Sequence, residues 1–171
     1  MSKRIIICFS IILTVFGFTV FVNAQPDIIF DHITVADGLS QSTVKTIFQD
    51  SKGFMWFGTN RGGVNRYDGY EFKVYERSDE TSNSIGNNTI HVFYEDEQGN
   101  IWIGTNSGLS ILDRKKETIT NDLIKIKDST IVIESAVHAI VKDAYNNLWI
   151  GTGKTGLIKI CLLYTSDAAD E

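Results

Sequence analysis

Three basic side chains recur at one position of an internal pattern in this chain. Lys45, His91 and His138 each stand eleven residues before a tryptophan. A lysine ammonium group only donates hydrogen bonds, whereas a neutral imidazole donates one and accepts one. If the fold brings the three to one concave surface, they could hold a polar ligand such as a sugar. The alternative is that they are solvated residues at the edge of a sheet, as most polar side chains are.

Further polar side chains follow the same tryptophans by four or five residues, in segments that contain glycine and therefore suit turns. We include them in the candidate ligand-binding set: Asn60, Arg61, Asn106, Ser107 and Lys154.

Other chemistry is less well supported by the sequence. The segment Gly151-Thr-Gly-Lys-Thr155 suggests a phosphate loop, but the Walker pattern requires a glycine where Leu148 stands. We find no Ser/His/Asp set and no metal-ligand spacing. The net charge is −5 and no basic run is present. We therefore predict no catalytic residue, no metal, no cofactor and no direct nucleic-acid binding.

The tryptophans mark an internal repeat. Trp56, Trp102 and Trp149 are 46 and 47 residues apart, and each is followed by a hydrophobic residue, glycine and threonine. An aspartate precedes each by six residues, and a glycine or asparagine precedes each by three: Asp50, Asp96 and Asp143, then Gly53, Gly99 and Asn146. A fixed period of this length is typical of propellers and solenoids. We assign the tryptophans a structural role, in which large rings pack between neighbouring sheets.

The repeat predicts four short strands. Aspartate and, three residues later, glycine suit a type I turn, and asparagine tolerates the left-handed backbone that glycine adopts there. In the first repeat the strands are Val44–Gln49, Phe54–Gly58, Val64–Tyr67 and Glu71–Tyr75. The third and fourth strands of the second repeat are expected around Leu109–Leu112 and Glu117–Thr120. Four strands in about 45 residues make one propeller blade, so the fold class is all-β.

The N-terminus predicts export. Lys3 and Arg4 precede an uncharged apolar run, Ile5–Val22, and Ala24 is the small residue expected before a cleavage site. We therefore predict a signal peptide at 1–24 and a periplasmic location; an uncleaved membrane anchor is the alternative. Both cysteines, Cys8 and Cys161, lie outside the predicted fold, which must then be held by burial alone.

The C-terminal end breaks the repeat. Residues 161–171 resemble a translated transposon sequencing adapter, and we interpret them as an artefact rather than part of the fold. Phe30–Thr34 matches the position of a fourth strand without its first three, and is predicted as a closing strand. The predicted organisation is a signal peptide (1–24), a lead-in with the closing strand (25–40), blade 1 (41–86), blade 2 (87–133), a partial blade 3 (134–160) and the adapter-like tail (161–171). These β-propeller blades, four-stranded antiparallel sheets, form an incomplete arc of about two and a half blades plus a closing strand.

The repeated Asp-x-x-Gly turn, Trp-Ile-Gly-Thr strand and Gly-Leu pair resemble the two-component regulator propeller repeat. The resemblance covers nearly all of 28–160 and implies the N-terminal periplasmic sensor of a hybrid two-component system. It implies an oligosaccharide ligand, and as partners the remaining blades and downstream signalling domains of an inner-membrane-anchored, dimeric parent. That parent would be a sensor histidine kinase with a transcription output. A secreted propeller enzyme acting on polysaccharide and a propeller scaffold for protein contacts remain alternatives.

Overall fold

The structure, a computed structural model, describes residues 29–121, 124–126, 129–131 and 133–161. The chain divides into two units, Met1–His32 and Ile33–Glu171. The described part of the first unit, residues 29–32, has no regular secondary structure, whereas the second unit holds all the strands described below. The predicted signal peptide and residues 162–171 of the adapter-like tail lie outside the described residues.

Two four-stranded antiparallel sheets form the first part of the larger unit. In the first sheet, strands β1 to β4 pair in chain order: Val44–Gln49, Met55–Thr59, Val64–Tyr67 and Phe72–Tyr75. In the second sheet, β5 to β8 do the same: Ile90–Glu95, Ile101–Thr105, Gly108–Asp113 and Thr118–Asn121. The all-β prediction is confirmed, and the predicted bounds of β1 and β3 match those of the structure.

A small hairpin and a third sheet follow. The hairpin joins β9, Ile124–Ile126, to β10, Ser129–Ile131, and was not predicted. In the third sheet, three strands pair in the order β11 to β13: Val137–Lys142, Asn147–Thr152 and Leu157–Cys161. Among the described residues this sheet has three strands. Cys161 ends β13, so the first residue that we assigned to the tail continues the strand.

The core lies between neighbouring sheets. Trp56 is completely buried, and its ring lies 6.3 Å from that of Phe93 on the second sheet. Trp102 belongs to the next apolar cluster, together with Val137 and Ile150 of the third sheet. Trp56 and Trp102 thus bury large rings between neighbouring sheets, whereas Trp149 is half-buried.

The repeated aspartate fixes the tryptophan as well as the turn. Asp50 Oδ1 accepts hydrogen bonds from the backbone N–H groups of Lys52 and Phe54, and Oδ2 accepts one of 2.8 Å from Trp56 Nε1. The same indole bond measures 3.0 Å in the second repeat and 2.9 Å in the third. A buried indole N–H needs an acceptor, so this bond explains why the two residue types keep a fixed separation of six.

The turn residues adopt the predicted backbone. Gly53, Gly99 and Asn146 have φ values of 89°, 83° and 64°, all in the left-handed region. Each of the three donates its N–H to the carbonyl of the aspartate three residues earlier. Asparagine can replace glycine at this position because it adopts the left-handed backbone at a lower cost than most other residues.

The predicted closing strand does not form in this structure. Residues 30–34 have irregular backbone, and Thr34 instead caps a 3-10 turn at Val35–Asp37. Thr34 Oγ1 accepts from Ala36 N, and Thr34 N donates to Asp37 Oδ2 at 2.7 Å. These bonds commit Thr34 to a helical cap, whereas a strand needs a neighbouring strand to satisfy its backbone groups.

Candidate ligand-binding face

The three basic residues occupy the same irregularity in each sheet. Each sheet begins with a strand whose register shifts around its second residue, between Val44 and Thr46 in the first sheet. The register shifts at the equivalent place in the second and third sheets. The residues that are left without a partner in the strand pairing are Lys45, His91 and His138. A bulge of this kind leaves one residue out of the ladder and redirects its side chain, and bulges are enriched beside functional sites. We call these three residues the basic lip.

The turns between the second and third strands lie beside the basic lip because backbone hydrogen bonds hold them there. Asn60 N donates to Thr43 O, and Asn106 N donates to Thr89 O, each at 3.0 Å. In the third sheet Gly153 N makes the equivalent bond at 2.8 Å. Each turn is therefore fixed to the residue that lies two positions before the bulge. This contact brings Asn60 and Asn106 to the beginning of β1 and β5. We call the first strand of each sheet its inner strand.

Two members of the basic lip touch across neighbouring sheets. The rings of His91 and His138 lie 4.6 Å apart between centroids, tilted by 58°. His138 is exposed, and its Nε2 lies 3.2 Å from the position that a Cβ on Gly153 would occupy, which places it at the turn that carries Lys154. Strand β5 lies between β1 and β11, so the lip continues across all three sheets.

His91 is the most enclosed member. Its Nε2 is shielded from solvent and has no hydrogen-bond partner among the described residues. Burial lowers the pKa of His91 below its usual value, and the nearby charges of Lys45 and His138 lower it further, while the Asn106 side chain opposes them. The neutral imidazole is thus favoured, because burial and like charges both disfavour the cation.

The remaining predicted residues lie on the surrounding turns. Arg61 is exposed, with a left-handed φ of 76°. Ser107 Oγ accepts a bond of 2.9 Å from Asn87 Nδ2 and borders a polar cavity of about 590 Å³. Other residues that line this cavity are Arg77, Ser78, Asp79, Thr81 and Asn121. Sequence reasoning missed the cavity because most of its walls come from the segment between β4 and β5, which lies outside the repeated positions on which the sequence analysis relied.

A second polar cluster joins the first two sheets near the Asp-x-x-Gly turns. The guanidinium of Arg114 donates to the carboxylates of Asp50 and Glu95, and its side chain is only 7% exposed. Ser51 also donates to Glu95, through both N–H and hydroxyl at 2.7 Å. Burial acts to raise the pKa of Asp50, but the hydrogen bonds from Trp56 and the turn, together with Arg114, hold it below the usual value. Since every charge here is paired, the cluster is a structural link between sheets.

The described residues contain no group of three side chains suited to hold a metal ion. No helix among them is long and apolar enough to cross a membrane.

The internal repeat matches the model of a known protein family. The family model described as "Two component regulator propeller" matches residues 38–61, 84–107 and 132–154. Each match covers the beginning of one sheet and ends just after the Gly-Thr pair of its second strand. The three matches therefore contain the basic lip and the aspartate–tryptophan pairs.

Relatives of this chain are signalling proteins and extracellular domains. Histidine kinase P4 of Formosa agariphila is 45% identical over 78 residues, which make up 45% of this chain and 6% of that protein. The extracellular domain of BT3049 from B. thetaiotaomicron, described as a hybrid two-component system, is 28% identical with a TM-score of 0.67, and the match covers 77% of this chain and 19% of that domain.

A second extracellular domain from B. thetaiotaomicron, that of BT4673, described as a one-component system, is 25% identical with a TM-score of 0.55. The match covers 70% of this chain and 16% of that domain. The chain thus spans less than a fifth of the length of each of these relatives.

Proposed function

This chain carries three two-component regulator propeller repeats, and from that premise we propose that it is an extracytoplasmic ligand-sensing module that detects an oligosaccharide. The longer parent is exported, anchored in the inner membrane and dimeric, and it controls a histidine kinase and a transcription output. The ligand binds on the face that carries the basic lip. The similarity to extracellular domains described as belonging to one- and two-component systems supports the sensory role.

The single observation that carries the proposal is the bulge at the same residue of three inner strands. Each bulge removes one basic side chain from the ladder, and backbone bonds hold a polar turn beside it. Sheet stability alone does not favour this irregularity, because a bulge leaves a residue unpaired. A site that redirects three hydrogen-bond donors to one face is suited to a ligand rich in hydroxyl groups.

The proposal is tested in the parent protein with a transcriptional reporter of its output. Cells are exposed to oligosaccharides released from a panel of polysaccharides, and the inducing preparation is identified. Replacing Lys45, His91 and His138 together by alanine should abolish induction while the amount of protein in the membrane stays unchanged. Lys52→Ala serves as the control, because it removes an exposed charge at the other end of β1. Normal induction by the triple variant would refute a sensing role for this face.

A further inference from the structure

We propose that the basic lip recognises an anionic group, a carboxylate or a sulfate, carried by the saccharide. The inference rests on the proposed function and narrows its ligand from oligosaccharides in general to acidic or sulfated ones. It follows from three features of the lip as far as the structure describes the chain: the convergence of basic side chains, the absence of an ion pair to any of them, and a shielded imidazole nitrogen without a partner.

The first feature is convergence. The bulges place one basic residue from each inner strand on neighbouring strands, and the imidazoles of His91 and His138 lie at a centroid distance of 4.6 Å. Lys45 is close enough to His91 to act on it electrostatically. The Lys45 ammonium opposes protonation of His91, and this opposition falls when an anion binds between them.

The second feature is the missing counter-ion. The charged groups that act on His91 are Lys45 and His138, and neither is acidic. The ion pairs of the described residues include none of the three lip residues. Arg114, at the other polar cluster, contacts two carboxylates. Within the described residues, carboxylates therefore neutralise the buried cation of the structural cluster, whereas none forms an ion pair with the lip.

The third feature is the ring nitrogen of His91. Its Nε2 has neither water access nor a partner among the described residues, and an unsatisfied polar atom of this kind costs free energy. Burial and the charges of Lys45 and His138 oppose protonation of this ring, and only the Asn106 side chain favours it. An anion at the lip supplies the missing negative charge, and Asn106 and Lys154 on the adjoining turns can donate to the same ligand.

The test uses the whole chain and NMR titration of its three histidines, which His91→Asn and His138→Asn variants assign. Sodium sulfate and sodium acetate are compared with sodium chloride at equal ionic strength, so that general screening is matched. We expect sulfate, acetate or both to raise the pKa of His91 by about half a pH unit or more, as a nearby opposite charge does. The chemical shift of His32, which precedes the sheets in sequence, serves as the internal reference for salt effects that are not specific to the lip.

Variants separate the lip from nonspecific binding. Lys45→Gln should reduce the sulfate-induced change by at least about half, because it removes a positive charge that acts on His91. Lys52→Gln makes the same change at the other end of β1 and should have no effect. The inference would be overturned if neither sulfate nor acetate changed the pKa of His91 in the wild-type protein. It would also be overturned if the change were equal in the two lysine variants. A difference between sulfate and acetate would indicate whether sulfated or uronic acid saccharides are preferred.

Saccharides then distinguish this inference from the proposed function. Trigalacturonate should shift the His91 and His138 resonances at concentrations where maltotriose, a neutral trimer, does not. Equal shifts from both trimers would reject anion selectivity while leaving saccharide sensing intact. In the parent reporter assay, induction by neutral oligosaccharides alone would likewise reject the inference, whereas lack of induction by any saccharide would reject the proposed function itself.

Discussion

The glycine of the Trp-x-Gly-Thr strand allows a quantitative comparison at one position of three repeats. A Cβ at Gly58 would lie 2.7 Å from Ile90 Cγ2 and 2.6 Å from Thr46 Cγ2. At Gly104 it would meet Val92 Cγ1 at 2.5 Å and the backbone carbonyl of Val137 at 2.8 Å. At Gly151 the nearest atom, Ala139 Cβ, is 3.4 Å away. In the first two sheets the inner strand of the next sheet crosses the glycine, and among the described residues no such strand crosses the third.

The same substitution should therefore have different effects. We expect Gly58→Ala and Gly104→Ala to destabilise the fold by about 1–3 kcal/mol, the usual cost of forcing a methyl group into a packed interior. Gly104→Ala should be the more costly of the two, because the obstructing carbonyl belongs to the backbone and cannot rotate away. Gly151→Ala should be neutral or stabilising by about 0.4–1 kcal/mol, since alanine restricts the unfolded chain.

Native-state proteolysis measures these differences without assuming a single cooperative transition. A cost of about 1–3 kcal/mol corresponds to a roughly 5- to 150-fold increase in the rate at which the protease cleaves the transiently opened protein. This holds when the opened segment recloses faster than it is cut. Urea midpoints followed by tryptophan fluorescence provide a second measurement. Equal sensitivity of the Gly104→Ala and Gly151→Ala proteins, or a neutral Gly104→Ala, would refute the argument that sheet contact requires this glycine.

Three further outcomes follow from the structure. Burial acts to raise the pKa of Asp143, but hydrogen bonds hold that pKa well below its usual value of 3.8. The stabilisation by ionised Asp143 should therefore be complete above pH 3.8 and be lost as the pH falls toward the pKa of the folded state. Asp143→Asn should make the stability less dependent on pH in this acidic range. Trp149 should be quenched by acrylamide more strongly than Trp56, which is fully buried; equal quenching in single-tryptophan variants would contradict this. Arg114→Ala should destabilise the protein by about 3–5 kcal/mol by leaving buried carboxylates unpaired, whereas Lys73→Ala, at an exposed pair, should cost less than about 1 kcal/mol in the same denaturation assay.

The strands could be predicted because their signals are local. Apolar alternation and Asp-x-x-Gly turns lie within a few residues of the strands that they define, so Val44–Gln49 and Val64–Tyr67 were placed correctly. The second strand, predicted at Phe54–Gly58, lies at Met55–Thr59 because the turn holds Phe54 through its N–H bond to Asp50. Phe30–Thr34, predicted as a closing strand, is not a strand in this structure. A strand depends on a partner strand, which the sequence of the segment does not contain.

The site was only partly predictable for a related reason. The common offset from the tryptophans grouped Lys45, His91 and His138, and the structure places all three at equivalent register shifts. Their role in binding stays a prediction. Their bulges depend on how each inner strand registers against the second strand, which is a property of two segments rather than one. The contact between His91 and His138 depends in addition on the spacing of two sheets. The fixed six-residue interval between aspartate and tryptophan is a visible signal of the indole hydrogen bond, but in the sequence the aspartate is already explained by the turn.

Packing between sheets and the geometry of the basic lip depend on the same residues. Ile90 precedes His91 and packs over Gly58, while Val137 precedes His138 and presents its carbonyl to Gly104. Because packed interiors resist compression, the histidine rings are positioned by the separation of the sheets and not by the bulges alone. Gly104→Ala should therefore change the chemical shifts of His138 and His91 even though it touches neither ring. If the variant were destabilised but left both resonances in place, the geometry of the lip would be independent of sheet spacing. Ligand binding at the lip could then not affect the rest of the propeller through the contact between Val137 and Gly104.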